Sequence, residues 1–261
     1  MTEPMIEITA LNAGYKGLPV LRSISLTVRE GEFTGILGPN GSGKTTLIRA
    51  LSGVLSPTSG TIRIAGHDIR ELSAKARARR CATVAQKNSG LSDARALSLV
   101  LMGRYPYVSF LGGYSAHDHL RAREAMTETS CLGLGERRAE SLSGGELQRV
   151  VMAKALAQDT SLLLLDEAAS NLDVARTMDL YDLLKAKNAS GLTVLTVAHD
   201  LNLAALYCQR LVFLKNGSVA ADGPTREIFT SQTLSEIYET PLAVAAHPLT
   251  GAPQAYLVPR A

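Results

Sequence analysis

The sequence predicts an α/β fold: a parallel-sheet core, an antiparallel β subdomain towards the N-terminus, and a helical insertion in the middle. Three observations lead there. The first sixty-odd residues alternate short β-rich segments with turns, the stretch from roughly 90 to 157 turns helical, and strands and helices alternate again from Ser161 onward.

In chain order, Ile6–Leu11 and Ile24–Val28 read as strands bounded by turn residues. Phe33–Leu37 is a short apolar run of the buried-strand kind, and Thr45–Leu51 reads as a helix stopped at Gly53. The turn Ser56-Pro57-Thr58-Ser59-Gly60 opens a strand over Thr61–Ala65, and Thr83–Ala85 is strand-like. Ser115 followed by Asp118 is a capping-box start for a helix through Arg121 and Met126, and Ser143 with Glu146 repeats the pattern. Leu162–Leu165 and Leu192–Val197 are apolar strands. From Tyr238 on, Pro241, Pro248, Gly251, Pro253 and Pro259 mark a loop-rich appendage. With no internal repeat or low-complexity linker, a single domain is expected over 1–261. About 1–87 and 158–240 would form the β subdomain and α/β core, about 88–157 the helical part and about 241–261 the appendage.

Composition excludes several classes. The 261 residues suffice for a substantial core, and 46% hydrophobic with 20% charged residues is ordinary for a globular chain. A net charge of +3 is too small to argue for a nucleic-acid partner. Cys81, Cys131 and Cys208 are odd in number and widely spaced, which suits buried reduced thiols rather than disulfides or zinc. The start Met1-Thr2-Glu3-Pro4 does not read as a signal peptide. The longest apolar run, Leu203–Cys208, is far short of the roughly 18 residues of a membrane helix.

The chemistry begins at Gly38-Pro39-Asn40-Gly41-Ser42-Gly43-Lys44-Thr45-Thr46, which fits G-x-x-x-x-G-K-S/T between a strand and a helix. Such a loop cradles phosphates with backbone N–H groups, its glycines allow close approach, and the helix N-terminus faces the anion. Lys44 can reach the β- and γ-phosphates, and the Thr45 hydroxyl can bind Mg²⁺. This pattern implies a bound nucleotide. Leu162–Leu165 then runs into Asp166 and Glu167, where a carboxylate at a strand end can hold hydrated Mg²⁺ and the next can polarise water. Between them lies Leu142-Ser143-Gly144-Gly145-Glu146, a capped helix start whose glycines leave room for a phosphate.

In that order the three motifs resemble the ATP-binding cassette (ABC) ATPases, over nearly the whole chain. The resemblance implies a P-loop NTPase (RecA-like) core, ATP and Mg²⁺. It makes Asp166 the metal-associated acid and Glu167 the catalytic base. Ser143, Gly144, Gly145 and Glu146 become the signature that meets the γ-phosphate of ATP held by another subunit, so a homodimer closing on two ATP molecules follows. His199 matches the switch histidine that senses the γ-phosphate, and Gln86 the glutamine that touches Mg²⁺ and couples the core to the helical insertion. Tyr15 matches the aromatic on which adenine stacks, and Ser170-Asn171-Leu172-Asp173 the loop against the partner subunit. The chain departs from the family twice. Ala168-Ala169 replace the usual Pro-Thr after the glutamate, which puts that turn's geometry in doubt, and Leu147 stands where a polar residue is usual, a position expected to pack.

His117-Asp118-His119 invites a metal reading, but residues two apart on a helix do not face each other, so no metal site is expected there. Lys75, Arg77, Arg79 and Arg80 read as a solvated basic face, with contact to lipid headgroups or a partner as the alternative. Met102-Gly103-Arg104-Tyr105-Pro106-Tyr107, His199-Asp200-Leu201-Asn202-Leu203-Ala204 and His247-Pro248-Leu249-Thr250-Gly251 resemble the ATPases that import ferric siderophores, haem or cobalamin. That resemblance implies a multi-spanning permease, a separate substrate-binding protein, and a peripheral location on the cytoplasmic face of the inner or plasma membrane. The alternatives are an ATPase of another ABC transporter class, a soluble ABC ATPase such as one for iron–sulfur cluster assembly, or a regulatory nucleotide binder with little turnover.

Overall fold

The computed structural model describes residues 4–85, 93–109, 112–169 and 172–259. In chain order its elements are β1 (Pro4–Tyr15), β2 (Leu18–Arg29), β3 (Phe33–Leu37), α1 (Lys44–Leu51), β4 (Ser59–Ile64), β5 (His67–Asp68), α2 (Ala74–Ala78), β6 (Cys81–Val84) and α3 (Ala96–Leu101). There follow α4 (Ala116–Glu128), α5 (Gly144–Ala157), β7 (Leu162–Asp166), α6 (Val174–Ala189), β8 (Thr193–Val197), α7 (Leu201–Tyr207), β9 (Arg210–Lys215) and β10 (Ser218–Pro224). The last are α8 (Thr225–Ile228), α9 (Ser231–Tyr238), β11 (Leu242–Ala246) and β12 (Pro253–Leu257). Two compact units result, one of residues up to Glu71 with Thr193 onward, the other Leu72–Leu192.

In the first unit an antiparallel sheet runs in the order β2-β1-β4-β5. Its first two strands are longer than the sequence suggests, because bulges rather than turns interrupt them. Ala10 and Ser23 take left-handed φ of 47° and 50°, and the β1–β2 register shifts between Ile8 and Leu11. Asn12 fixes this irregular stretch. Its Oδ1 accepts from the Ser23 N–H at 3.0 Å while its Nδ2 donates to Ser59 Oγ at 2.9 Å. The same unit holds β3 between two parallel neighbours, β8 and β9, with β10 antiparallel beyond β9. Every residue of β3 and of β8 is buried, as expected for strands covered on both faces. The appendage expected to be loop-rich is instead the hairpin β11–β12. Its prolines cost no ladder bonds, since Pro241 and Pro248 lie outside the strands and Pro253 opens β12.

The second unit pairs β6 in parallel with β7 and packs α3, α4 and α5 around an aliphatic core that includes Leu99, Val100, Met126, Val150 and Ala153. Leu147 packs against this core, as expected for an apolar residue at that helix position. The segment Met102–Tyr107 forms a 3-10 helix whose composition is explained by its neighbours. A Cβ on Gly103 would stand 2.2 Å from the Lys154 carbonyl oxygen, so only glycine lets this backbone meet α5. Arg104 is buried and pairs with Asp118 at 3.0 Å, donates to the Ala157 carbonyl at 2.9 Å, and lies 4.1 Å from the Tyr107 ring centre. Asp118 is also the acidic half of the Ser115 capping box of α4.

The basic cluster near α2 is not simply a solvated face. Lys75 donates to the Val108 carbonyl, and Arg79 donates to that of Pro106 at 2.9 Å with its guanidinium 5.4 Å from the Tyr107 ring centre. These cations hold the 102–108 segment by its backbone. Cys81, Cys131 and Cys208 are unpaired and buried, and burial pushes the Cys81 thiol up to about 12. Among the described residues no helix is long and apolar enough to cross a membrane.

Candidate nucleotide site

The phosphate loop leaves the C-terminal end of β3 and enters α1. Gly38, Gly41 and Gly43 all have positive φ, at 141°, 78° and 105°. No capping side chain and no acidic residue occupies the first turn of α1. Lys44 is buried, and its Nζ donates to the carbonyls of Gly38 and Pro39 at 2.8 and 3.0 Å. The ammonium therefore lies against the backbone of the loop itself. The buried Ser42 Oγ has no hydrogen-bond partner among the described residues, a cost that a phosphate oxygen in the loop would relieve. Pro39, Asn40, Thr45 and Thr46 complete the loop and first turn at their expected positions, with Thr45 half-buried.

Gly38 has no substitute. A Cβ there would lie 2.0 Å from the Leu214 carbonyl oxygen on β9. Gly38→Ala is expected to destabilise the fold by at least about 2 kcal/mol, through left-handed strain plus the clash. Urea denaturation checks this, with Gly41→Ala as the control, because a Cβ on Gly41 meets nothing within 4 Å.

His199 follows β8, which lies in parallel register beside β3 through Ile36↔Val197. The Ala198 N–H donates to the Ile36 carbonyl at 3.2 Å, so the His199 turn and the phosphate loop leave the same edge of neighbouring strands. Asp200 then caps α7, accepting from the Asn202 and Leu203 N–H groups. Tyr15 ends β1 with 38% exposure, and its hydroxyl accepts from Arg49 of α1 at 3.1 Å. An exposed ring beside the phosphate-loop helix is available for stacking.

In the second unit Asp166 is the buried last residue of β7. Glu167 follows with a left-handed φ of 56°, unusual for a residue other than glycine and frequent where a side chain must be aimed. The missing proline has a structural answer. Ala168 is buried and its carbonyl accepts from Gln148 Nε2 at 2.7 Å, so α5 holds this turn directly. Sequence reading did not single out Gln148, because a glutamine inside a helix carries no distinguishing pattern.

The Ser143 capping box is formed in full. Ser143 Oγ accepts from the Glu146 N–H at 3.3 Å, and Glu146 accepts from the Ser143 N–H at 2.8 Å and pairs with Arg137 at 2.9 Å. The Ser143 N–H foremost, then its hydroxyl and Arg137, holds the Glu146 carboxyl below its ordinary range. Asp173 caps α6, accepting from the Arg176 N–H at 2.8 Å. Gln86, Ser170 and Asn171 lie outside the described residues. The expected residues thus fall into two groups: the loop, Tyr15 and His199 in the first unit, and Asp166, Glu167, the Ser143–Glu146 helix start and Asp173 in the second.

A family model described as ABC transporter matches residues 21–170. The chain belongs to the ABC transporter family. Ferric enterobactin transport ATP-binding protein of Escherichia coli K12 is 34% identical over 97% of this chain and 94% of its own. Hemin import ATP-binding protein of Streptomyces coelicolor is 39% identical, over 94% of this chain and 89% of its own. Cobalamin import ATP-binding protein of Halobacterium salinarum is 37% identical over 95% of this chain, which spans only 62% of that relative's length. Among solved structures, a metal-chelate type ABC transporter in an inward-facing conformation superposes with a TM-score of 0.84 at 25% identity, covering 99% of this chain and 98% of that one. A dimeric ATP-binding cassette in a post-hydrolysis state with ADP and phosphate gives 0.77 at 29% identity, over 85% of this chain and 99% of its own. The ABC chain therefore has the ATP-binding cassette fold, with the antiparallel sheet and helical region expected from its sequence.

Proposed function

We propose that this chain is the ATP-hydrolysing subunit of an ABC importer for a metal chelate: a ferric siderophore, haem or cobalamin. The observation that carries the reading is end-to-end likeness, in sequence to ferric enterobactin transport and hemin import ATP-binding proteins and in fold to a metal-chelate type transporter. Two chains close head to tail on two ATP molecules, a reading supported by the dimeric cassettes of the same fold.

In this reading the loop Gly38–Thr46 wraps the phosphates, Lys44 Nζ turns to the γ-phosphate, and Ser42 Oγ gains a phosphate oxygen as partner. Thr45, Asp166 and Gln86 supply the oxygen ligands suited to Mg²⁺, which when bound neutralises charge on the β- and γ-phosphates. Glu167 takes a proton from the attacking water, and His199 holds the γ-phosphate by a hydrogen bond. Tyr15 stacks on adenine. Ser143, Gly144, Gly145 and Glu146 meet the partner's nucleotide, with Asp173 in the loop that faces the partner. Closure, in-line hydrolysis and reopening on product release drive a multi-spanning permease fed by a substrate-binding protein, with the chain peripheral on the cytoplasmic face. No nucleic-acid partner is involved. In this division of the chain, about 1–87 and 158–240 carry the β subdomain and α/β core, about 88–157 the helical part with the signature, and about 241–261 the appendage.

Affinity capture of the tagged chain from detergent-solubilised native membranes tests the reading. A co-eluting polytopic membrane protein is the expected result, and a purely soluble partner set would overturn it.

A further inference from the structure

The two late motifs, His199–Ala204 and His247–Gly251, are linked through the C-terminal hairpin by hydrogen bonds that none of the roles above uses. At one end the Gly38 N–H of the phosphate loop donates to the Tyr238 hydroxyl at 3.1 Å. Burial pushes that phenol up to about 12, so at neutral pH it is a neutral hydroxyl able to accept this bond. Tyr238 is the last residue of α9, and α9 is fixed to β11. Ser235 Oγ accepts from the Leu242 N–H at 3.0 Å, and Ser231 Oγ accepts from the Val244 N–H at 2.8 Å.

β11 pairs with β12 from Leu242↔Leu257 to Ala246↔Pro253. The hairpin turn is the His247–Gly251 motif. The His247 N–H donates to the Ala252 carbonyl at 2.7 Å, and its Nδ1 accepts from the Leu249 and Thr250 N–H groups. β12 then reaches the other motif. The Ala255 N–H donates to Asn202 Oδ1 at 2.6 Å, and Asn202 Nδ2 donates to the Ala255 carbonyl at 3.2 Å. Asn202 sits in the Asp200 cap immediately after His199.

We infer that the C-terminal hairpin is a clasp that holds the phosphate loop and the His199 turn in fixed register, with Tyr238 and Asn202 as its positioning residues. This rests on the proposed role of those two segments in ATP binding. The β3–β8 register stops at Ile36↔Val197, just short of both segments, and the clasp ties them together beyond it. A glycine-rich loop pre-set in this way binds an anion without first being ordered, so the clasp acts on affinity for nucleotide rather than on the chemistry of hydrolysis.

The test measures ATP affinity and melting temperature of the full chain and of Tyr238→Phe, Asn202→Ala and the double variant. Tyr238→Phe keeps the ring and removes one hydrogen bond. It is expected to weaken ATP binding roughly three- to tenfold while the fold is retained. Asn202→Ala, though remote from the loop, is expected to weaken binding in the same direction, and the double variant no more than the worse single one. Should Asn202→Ala fail to fold, Ser235→Ala cuts the same path between α9 and β11 and is expected to give the same loss. Unchanged ATP affinity in Tyr238→Phe, or losses that simply add, overturns the clasp. If the unaltered chain binds no ATP, the proposed function falls along with it.

Discussion

Glu167→Gln is expected to bind ATP about as tightly as the unaltered chain and to hydrolyse it about 10² to 10⁴ times more slowly, the usual contribution of a positioned general base. The amide is isosteric with the carboxylate and cannot accept the proton. The backbone at 167, held left-handed, and the Gln148 bond to the next carbonyl are both expected to survive the change. Blocked turnover should also trap the closed state, so sedimentation equilibrium of the variant with ATP is expected to show a dimer. Turnover within tenfold of the unaltered chain, or a monomer in saturating ATP, contradicts the assignment.

Asp118→Ala is expected to cost about 3–5 kcal/mol of stability, because it leaves the buried Arg104 guanidinium without its carboxylate. What remains to that cation is one carbonyl and one ring face. The loss should fall on the 102–118 region and on its contact with α5, read as a lower urea midpoint by circular dichroism. The Asp118 carboxylate also sets an acid limit. The Ser115 hydroxyl above all, then the Ser115 N–H and Arg104, lowers the Asp118 carboxyl from 3.8 to about 2. A depressed carboxylate stabilises the fold fully above its unfolded value, and that stability is lost as pH falls towards the folded one. Stability should therefore decline between about pH 4 and pH 2, and less steeply in Asp118→Ala.

Local chemistry made much of this legible in the sequence. Phe33–Leu37 is buried throughout, and both Ser-x-x-acid pairs, at Ser115 and Ser143, form capping boxes. Features that depend on distant residues were not legible. Asn12 keeps a strand continuous through bulges where its neighbours suggest a turn, by bonding to Ser23 and Ser59. Arg79 is local in sequence to a basic face, yet its guanidinium is committed to Pro106 and Tyr107. At the site, Gly38 and Lys44 announce themselves, whereas Tyr238 is an ordinary helix-end tyrosine until the fold brings it to the Gly38 N–H. The proline-rich tail misled for a related reason. Proline argues against a central strand, but a hairpin with its prolines at strand ends and in the turn is compatible with all of them.

Phosphate release from Mg·ATP by the purified chain, with and without vanadate and beside a Lys44→Ala variant, decides most directly whether this cassette is an energy-supplying ATPase. The expected result is steady turnover that vanadate stops and that Lys44→Ala lacks. ATP bound tightly without turnover would contradict it and leave a regulatory nucleotide binder.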